Sequence, residues 1–179
     1  MRCILLLLVF VSCQLSDSKL TVLADAPLVS LSNGVTYYDG KVFTGELVFY
    51  ARDSILMYSC FYEKGRKQGE EKKWYANGQL ENLRFYTNGK KTGIHKGWWP
   101  SGLPKFLLMF NAKGAYHGVV QEWFEDGTVS KLFHYENGKE EGSQQMFKVN
   151  GAIRANYVVK HGERYGLIGL KKCEAIQTN

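Results

Sequence analysis

Glycine recurs on a fixed period, and that period constrains the fold more than any other feature of the chain. Gly65, Gly89, Gly114, Gly138 and Gly162 are spaced by 24, 25, 24 and 24 residues. A second column, Gly69, Gly93, Gly118, Gly142 and Gly166, repeats those intervals four residues later, and a third, Gly78, Gly102, Gly127 and Gly151, runs 24, 25 and 24. Gly40 and Gly45 read as a degenerate first copy, so 16 of the 19 glycines belong to the repeat. A period of this length is the signature of a repeat architecture in which each unit buries its apolar face against its neighbours.

Aromatic residues share the register. Trp74, Trp98, Trp123 and Phe147 stand four before the third glycine, and Tyr62, Tyr86 and Tyr135 three before the first. Asn77-Gly78, Asn88-Gly89, Asn137-Gly138 and Asn150-Gly151 are hairpin signals, because a type I′ turn needs positive φ at both central residues. Turns fall about every 12 residues and leave strands of about six to eight residues between them. Val129, Lys131, Phe133 and Tyr135 alternate with Ser130, Leu132 and His134, and Ile153, Ala155, Tyr157 and Val159 occupy the equivalent face, the period-two pattern of a pleated strand. The expectation is an all-β chain of about 24 residues and two strands per unit, about ten to twelve strands in an antiparallel meander.

The columns resemble the MORN repeat variant, the Tyr-x-x-Asn-Gly-x-x-x-Gly units also found in YwqK-type antitoxin-like proteins. Tyr86-Thr87-Asn88-Gly89-Lys90-Lys91-Thr92-Gly93 and Tyr135-Glu136-Asn137-Gly138-Lys139-Glu140-Glu141-Gly142 carry the resemblance, which extends from about Leu28 to Leu170. It implies a β-hairpin array with no cofactor and no catalytic residues of its own. The antitoxin label implies neutralisation of a toxin, which sits awkwardly with export.

Export is what the N-terminus suggests. Arg2 is followed by an apolar run from Ile4 to Val11, too short to span a bilayer but suited to a signal peptide. Phe10-Val11-Ser12-Cys13 resembles the lipobox of bacterial lipoproteins, in which Cys13 would be lipidated and become the first residue of the mature chain. The expected organisation is a signal over 1–12, a tether over 13–27 and the repeat domain over 28–179. The expected location is the bacterial cell envelope, membrane-anchored, with secretion of a cleaved soluble form as the alternative.

Nothing in the motifs points to catalysis. His117 and His161 precede repeat glycines and read as turn residues, His134 sits on the less apolar face of its strand, and no metal-binding or nucleophile motif occurs. Cys60 and Cys173 lie about nine strands apart in a linear array, or roughly 40 Å at about 4.8 Å per strand, beyond the reach of a disulfide. The net charge of +6 comes with lysines and arginines clustered at turns: Lys64, Arg66 and Lys67; Lys90 and Lys91; Lys139; Arg164. Solvated hairpin ends account for them, attraction to acidic surfaces is the sharper reading, and nucleic acid is not an expected partner.

The pairs Trp74-Tyr75, Trp98-Trp99 and Trp123-Phe124 put one ring on each face of the sheet, with rings one copy apart expected to stack. Lys148 in the Tyr75 column suggests that Tyr75, Trp99 and Phe124 face outward as a ligand or partner surface. Three functions follow as expectations: a non-enzymatic scaffold contacting a protein partner in the envelope, a glycan or wall-polymer binding module using that aromatic column, and an antitoxin-like neutraliser.

Overall fold

The computed structural model describes residues 20–169. The expected signal, Cys13, the start of the tether and Cys173 lie outside the described residues. The strands are β1 (Thr21–Leu23), β2 (Val29–Ser32), β3 (Val35–Tyr38), β4 (Lys41–Val42), β5 (Gly45–Tyr50), β6 (Leu56–Glu63), β7 (Arg66–Trp74), β8 (Leu80–Thr87), β9 (Lys90–Lys91), β10 (Gly93–Trp98), β11 (Pro104–Phe110), β12 (Tyr116–Trp123), β13 (Val129–Glu136), β14 (Lys139–Phe147), β15 (Ile153–Lys160) and β16 (Glu163–Leu167). From β5 to β16 they form one sheet of consecutive antiparallel hairpins, with β9 paired to β8 off the main path. This is the meander that the glycine period predicts.

Two kinds of turn alternate along it, except at Gly114, where Asn111 and Ala115 close a turn of the longer kind. Lys64-Gly65, Asn88-Gly89, Asn137-Gly138 and His161-Gly162 have φ of +48° to +52° at the first residue and +73° to +86° at the glycine, the double positive φ of a type I′ turn. Successive hairpins put these turns on one edge of the sheet. On the other edge the turns are one residue longer. There the Gly78 N–H donates to the Tyr75 carbonyl and the Tyr75 N–H to the Gln79 carbonyl, a pattern repeated at Trp99, Phe124 and Lys148. Only the glycine has positive φ in these loops, as in a type I turn closed by a glycine bulge. Asn77-Gly78 and Asn150-Gly151 are therefore not type I′ turns. Their asparagines instead accept the N–H two residues on, Asn77 from Gln79 at 3.0 Å and Asn150 from Ala152 at 3.1 Å, the side-chain mimic of a turn.

The second glycine column bends the strands. Cys60 opposes Glu71 and Tyr62 opposes Lys67, so two residues of β6 span four of β7, with Gly69 at the centre. The same bulge recurs at Gly118, where Leu108 opposes Val120 and Phe110 opposes Tyr116. It recurs again at Gly142, where Phe133 opposes Gln144 and Tyr135 opposes Glu140. A bulge kinks its strand and adds twist. The type I′ turns dock back on the preceding hairpin: the Gly89 N–H donates to the Lys67 carbonyl and the Gly138 N–H to the Tyr116 carbonyl. Residues on one face thus bury one another, and Tyr86, Phe110, Val120, Phe133, Tyr157 and Val159 are all buried.

The N-terminal segment departs from expectation. The stretch read as a tether enters the fold, because β1 pairs in parallel with β5 and Val22 is buried. The stretch holding Gly40 keeps the turn of a degenerate first copy, with φ of +51° at Asp39 and +69° at Gly40, but not its place in the large sheet, since Val29–Val42 makes a separate three-stranded sheet in the order β2-β3-β4. Val22, Phe43, Leu47, Cys60 and Tyr62 form a core with Ala24, Val29 and Tyr38 packed against it. Residues 21–43 therefore cap the first hairpin, a role that the end of any stacked array requires.

Candidate binding site

One position of the repeat, six residues after the first glycine, holds Glu71, His95, Val120 and Gln144, and all four are at most 2% exposed. Three of the four are polar, and two of them reach carbonyls beside a bulge. A carbonyl has two lone pairs, and that of Phe85, which accepts the Thr92 N–H at 2.9 Å, has room for a second donor. His95 supplies one through Nε2, 2.9 Å from the Phe85 carbonyl. Gln144 does the same through Nε2, 2.8 Å from the His134 carbonyl. Burial between the Tyr86 and Phe110 rings, whose centroids lie 5.7 and 4.6 Å away, holds His95 below the ordinary histidine pKa, and Arg84 and Lys91 add to this.

Glu71 answers a different need. It pairs with Lys67 and lies 3.9 Å from Arg84. Burial pulls the Lys67 ammonium down, but the hydrogen bond and charge of Glu71 outweigh it and raise the Lys67 pKa above the usual lysine value. Lys67 also stands 5.0 Å from the Tyr86 ring centroid and 5.8 Å from that of Tyr58, within cation–π range. Beside this group Cys60 is free and fully buried, and burial pushes its thiol up to about 11. A protonated, water-excluded thiol is an inert packing group.

Over the tyrosines opens a cleft of about 480 Å³. Val29, Ser30 and Leu31 of β2 form one side and Leu47, Tyr62 and Tyr86 of the large sheet the other, while Arg66 and Lys67 close the turn end. Leu31 is 74% exposed at the mouth. The repeat alone does not predict this cleft, because five of its twelve lining residues come from residues 29–36. The visible signal was Asn33-Gly34, a further hairpin dipeptide whose φ values of +50° and +73° make it another type I′ turn.

The aromatic columns sort differently from expectation. Tyr75, Trp99 and Phe124 each open a three-residue turn and are half-buried. The Tyr75 hydroxyl donates to the Trp98 carbonyl at 3.0 Å. The Trp99 ring lies 4.4 Å from the Lys105 ammonium, and its Nε1 is buried without a partner. By strand alternation Trp74, Trp98, Trp123 and Phe147 stand on the face opposite Glu71, His95, Val120 and Gln144. Contacts between rings run instead through the tyrosine face, from Tyr86 through His95, Phe110, Tyr116, Tyr135 and Phe133 to Tyr157.

The histidines are placed as follows. His161 occupies a type I′ turn as expected. His117, expected in a turn, lies within β12, and its Nδ1 is 3.5 Å from the Asn137 N–H. His134 donates from Nδ1 to the Ser143 carbonyl at 2.9 Å. Among the described residues no three His, Cys, Asp or Glu side chains converge as metal ligands.

Comparison with known proteins agrees with the repeat. The chain carries MORN repeat variants: the model of that family matches residues 67–88 and 116–139. Each match covers one hairpin with its three-residue turn, β7–β8 and β12–β13. No curated protein matches the chain. Among solved structures, a crystal structure of a point mutant of S. aureus TarM in complex with Fondaparinux, alpha-GlcNAc-glycerol and UDP is similar to 64% of this chain. The identity is 12% and the TM-score 0.34. The likeness covers 21% of the TarM chain, about a fifth of its length, and bears on neither fold nor function.

Proposed function

We propose that this array of MORN repeat variants is a non-enzymatic binding protein, exported and lipid-anchored through Cys13, that holds a protein partner at the cleft between β2 and the tyrosine face. The cleft carries the reading. It is an open apolar hollow with aromatic walls and a cationic end, the composition expected of a recognition pocket. Its surroundings hold no activated nucleophile, since Cys60 is buried and protonated. The aromatic column favours a glycan less, because the Tyr75 hydroxyl and the Trp99 ring are already engaged within the chain.

Two measurements test this. Labelling of cells with a radioactive fatty acid should mark the wild-type protein in the membrane fraction and leave Cys13→Ala unlabelled; label retained in the mutant removes the anchor. A photo-crosslinking amino acid at Leu31 should give one defined adduct in intact cells, absent when the same group replaces Gln121 on the opposite face. Equal crosslinking at both positions, or none at Leu31, would show that the cleft is not the binding site.

A further inference from the structure

Resting on that reading of the cleft, we propose that β2 is a strand-addition site: an extended segment of the partner protein, an apolar stretch flanked by carboxylates, pairs with the free edge of β2 and sets its apolar side chains over Tyr62 and Tyr86.

The edge is open. β2 ends the order β2-β3-β4, and among the described residues no strand pairs with its outer side. Ser32 and Val35 flank the two-residue turn at Asn33-Gly34, so they form a hydrogen-bonded pair, and alternate residues turn their backbone groups outward. Those residues are Val29 and Leu31. The Val29 N–H is used by the Ala26 carbonyl at 2.9 Å. The Leu31 N–H and carbonyl and the Val29 carbonyl remain directed outward, the row that an added strand engages.

The edge also lacks the usual protection. Exposed edges are normally blunted by charge, proline or a bulge, whereas β2 reads Val-Ser-Leu-Ser and ends beside an exposed leucine. Nor is β2 needed in full for the cap: of its four residues only Val29 packs against the N-terminal core. Val29, Ser30 and Leu31 all line the cleft, so its unpaired edge borders the hollow.

Charge selects the occupant. Arg66 and Lys67 line the cleft; Lys67 is paired with Glu71, which leaves the charge of Arg66, and Gly89, also in the lining, leads directly into Lys90 and Lys91. With Lys64 on the adjacent turn, the closed end of the hollow is cationic. An acidic residue beside the apolar stretch complements it, and a basic one is repelled.

The probe is a fluorescent heptapeptide, Asp-Asp-Val-Leu-Val-Asp-Asp, titrated with the purified chain from residue 14 onward and followed by anisotropy. Saturable binding is expected, with the Lys-Lys-Val-Leu-Val-Lys-Lys analogue weaker by at least about tenfold. Two further analogues carry N-methyl groups on alternate residues in opposite phases. A strand bonds through one edge only, so one phase should lose at least about tenfold and the other should bind as the parent does. Leu31→Pro, which removes the outward N–H, should weaken the parent peptide similarly. Strand addition is overturned by equal binding of both methylated phases, by no preference for the acidic peptide, or by no binding of it. A cleft-specific crosslink at Leu31 alongside such a result would leave the binding site standing and remove only this mode of occupancy.

Discussion

His95 and Gln144 show how much one side chain can be asked to do in a bent sheet. Each donates to a carbonyl beside a bulge, Phe85 in one case and His134 in the other, and the Phe85 carbonyl accepts the Thr92 N–H as well. Gln144 stands 49 residues after His95, two repeat lengths. The two side chains are therefore equivalents, of which only one titrates. His95 has a folded pKa below its ordinary value of 6.5, so the unfolded chain binds the proton more readily and stability falls as pH drops through that value. The urea midpoint of the wild type should decline between pH 7.5 and 5.5. His95→Gln keeps the donor and removes the titration, so it should match the wild type within about 1 kcal/mol at pH 7.5 and lose less on acidification. An identical decline in both proteins would assign the pH dependence to other groups. The buried polar column was present in the sequence at its intervals of 24, 25 and 24. Its meaning was hidden there, because a polar residue among lysines and glutamates looks like a solvated strand position.

At the scale of the element, glycine serves two physical purposes that the sequence does not distinguish. Gly142 sits at a bulge with φ +80°, and a Cβ added there would meet only the His134 Cβ, at 3.8 Å. Its constraint is the backbone, and alanine there should cost about 1–2 kcal/mol, whatever its neighbours. Gly97 lies outside the repeat columns and has no positive φ, but an added Cβ would fall 2.2 Å from the Phe106 ring. Gly97→Ala should cost about 1–3 kcal/mol by overpacking. Thermal melts of single and double mutants separate the cases: Phe106→Leu should relieve Gly97→Ala, giving less than additive loss, and should leave the loss from Gly142→Ala additive. Additivity in both pairs would mean that the Phe106 ring moves aside without cost. The turns were similarly half-legible. Asn88-Gly89 and Asn137-Gly138 formed the type I′ turns that their dipeptides specify. Asn77-Gly78 did not, because Tyr75 and Gln79 close a loop one residue longer, and loop length is set by strand pairing on both sides.

The whole molecule is an asymmetric array. Its first hairpin is covered by β1 and the small sheet, whereas at the other end every residue of β16 is exposed, with Tyr165 at 59%. In an array of this kind each unit is supported mainly by its neighbours, so unfolding should begin at β16. Ending the chain after Lys160 removes Arg164, which bonds Glu140 at 2.9 Å and stands 5.3 Å from the Tyr157 ring centroid. Hydrogen exchange read by mass spectrometry should then speed up in β14 and β15 and stay unchanged in β5 to β8. Uniform acceleration along the chain would show a single cooperative unit instead.

The sequence by itself determined the period, the hairpins, the positions of the turns and the face carrying the tyrosines, since each follows from local demands: positive φ at glycine, and alternation along a strand. Tertiary structure decided the bend of the sheet, the polar column buried under it, the capping role of residues 21–43 and the cleft over Tyr62 and Tyr86. These depend on docking between groups 29 and 22 residues apart in the chain, Thr36 on Gly65 and Gly89 on Lys67. No pattern confined to one repeat encodes which face of a sheet closes on itself or what lies across it.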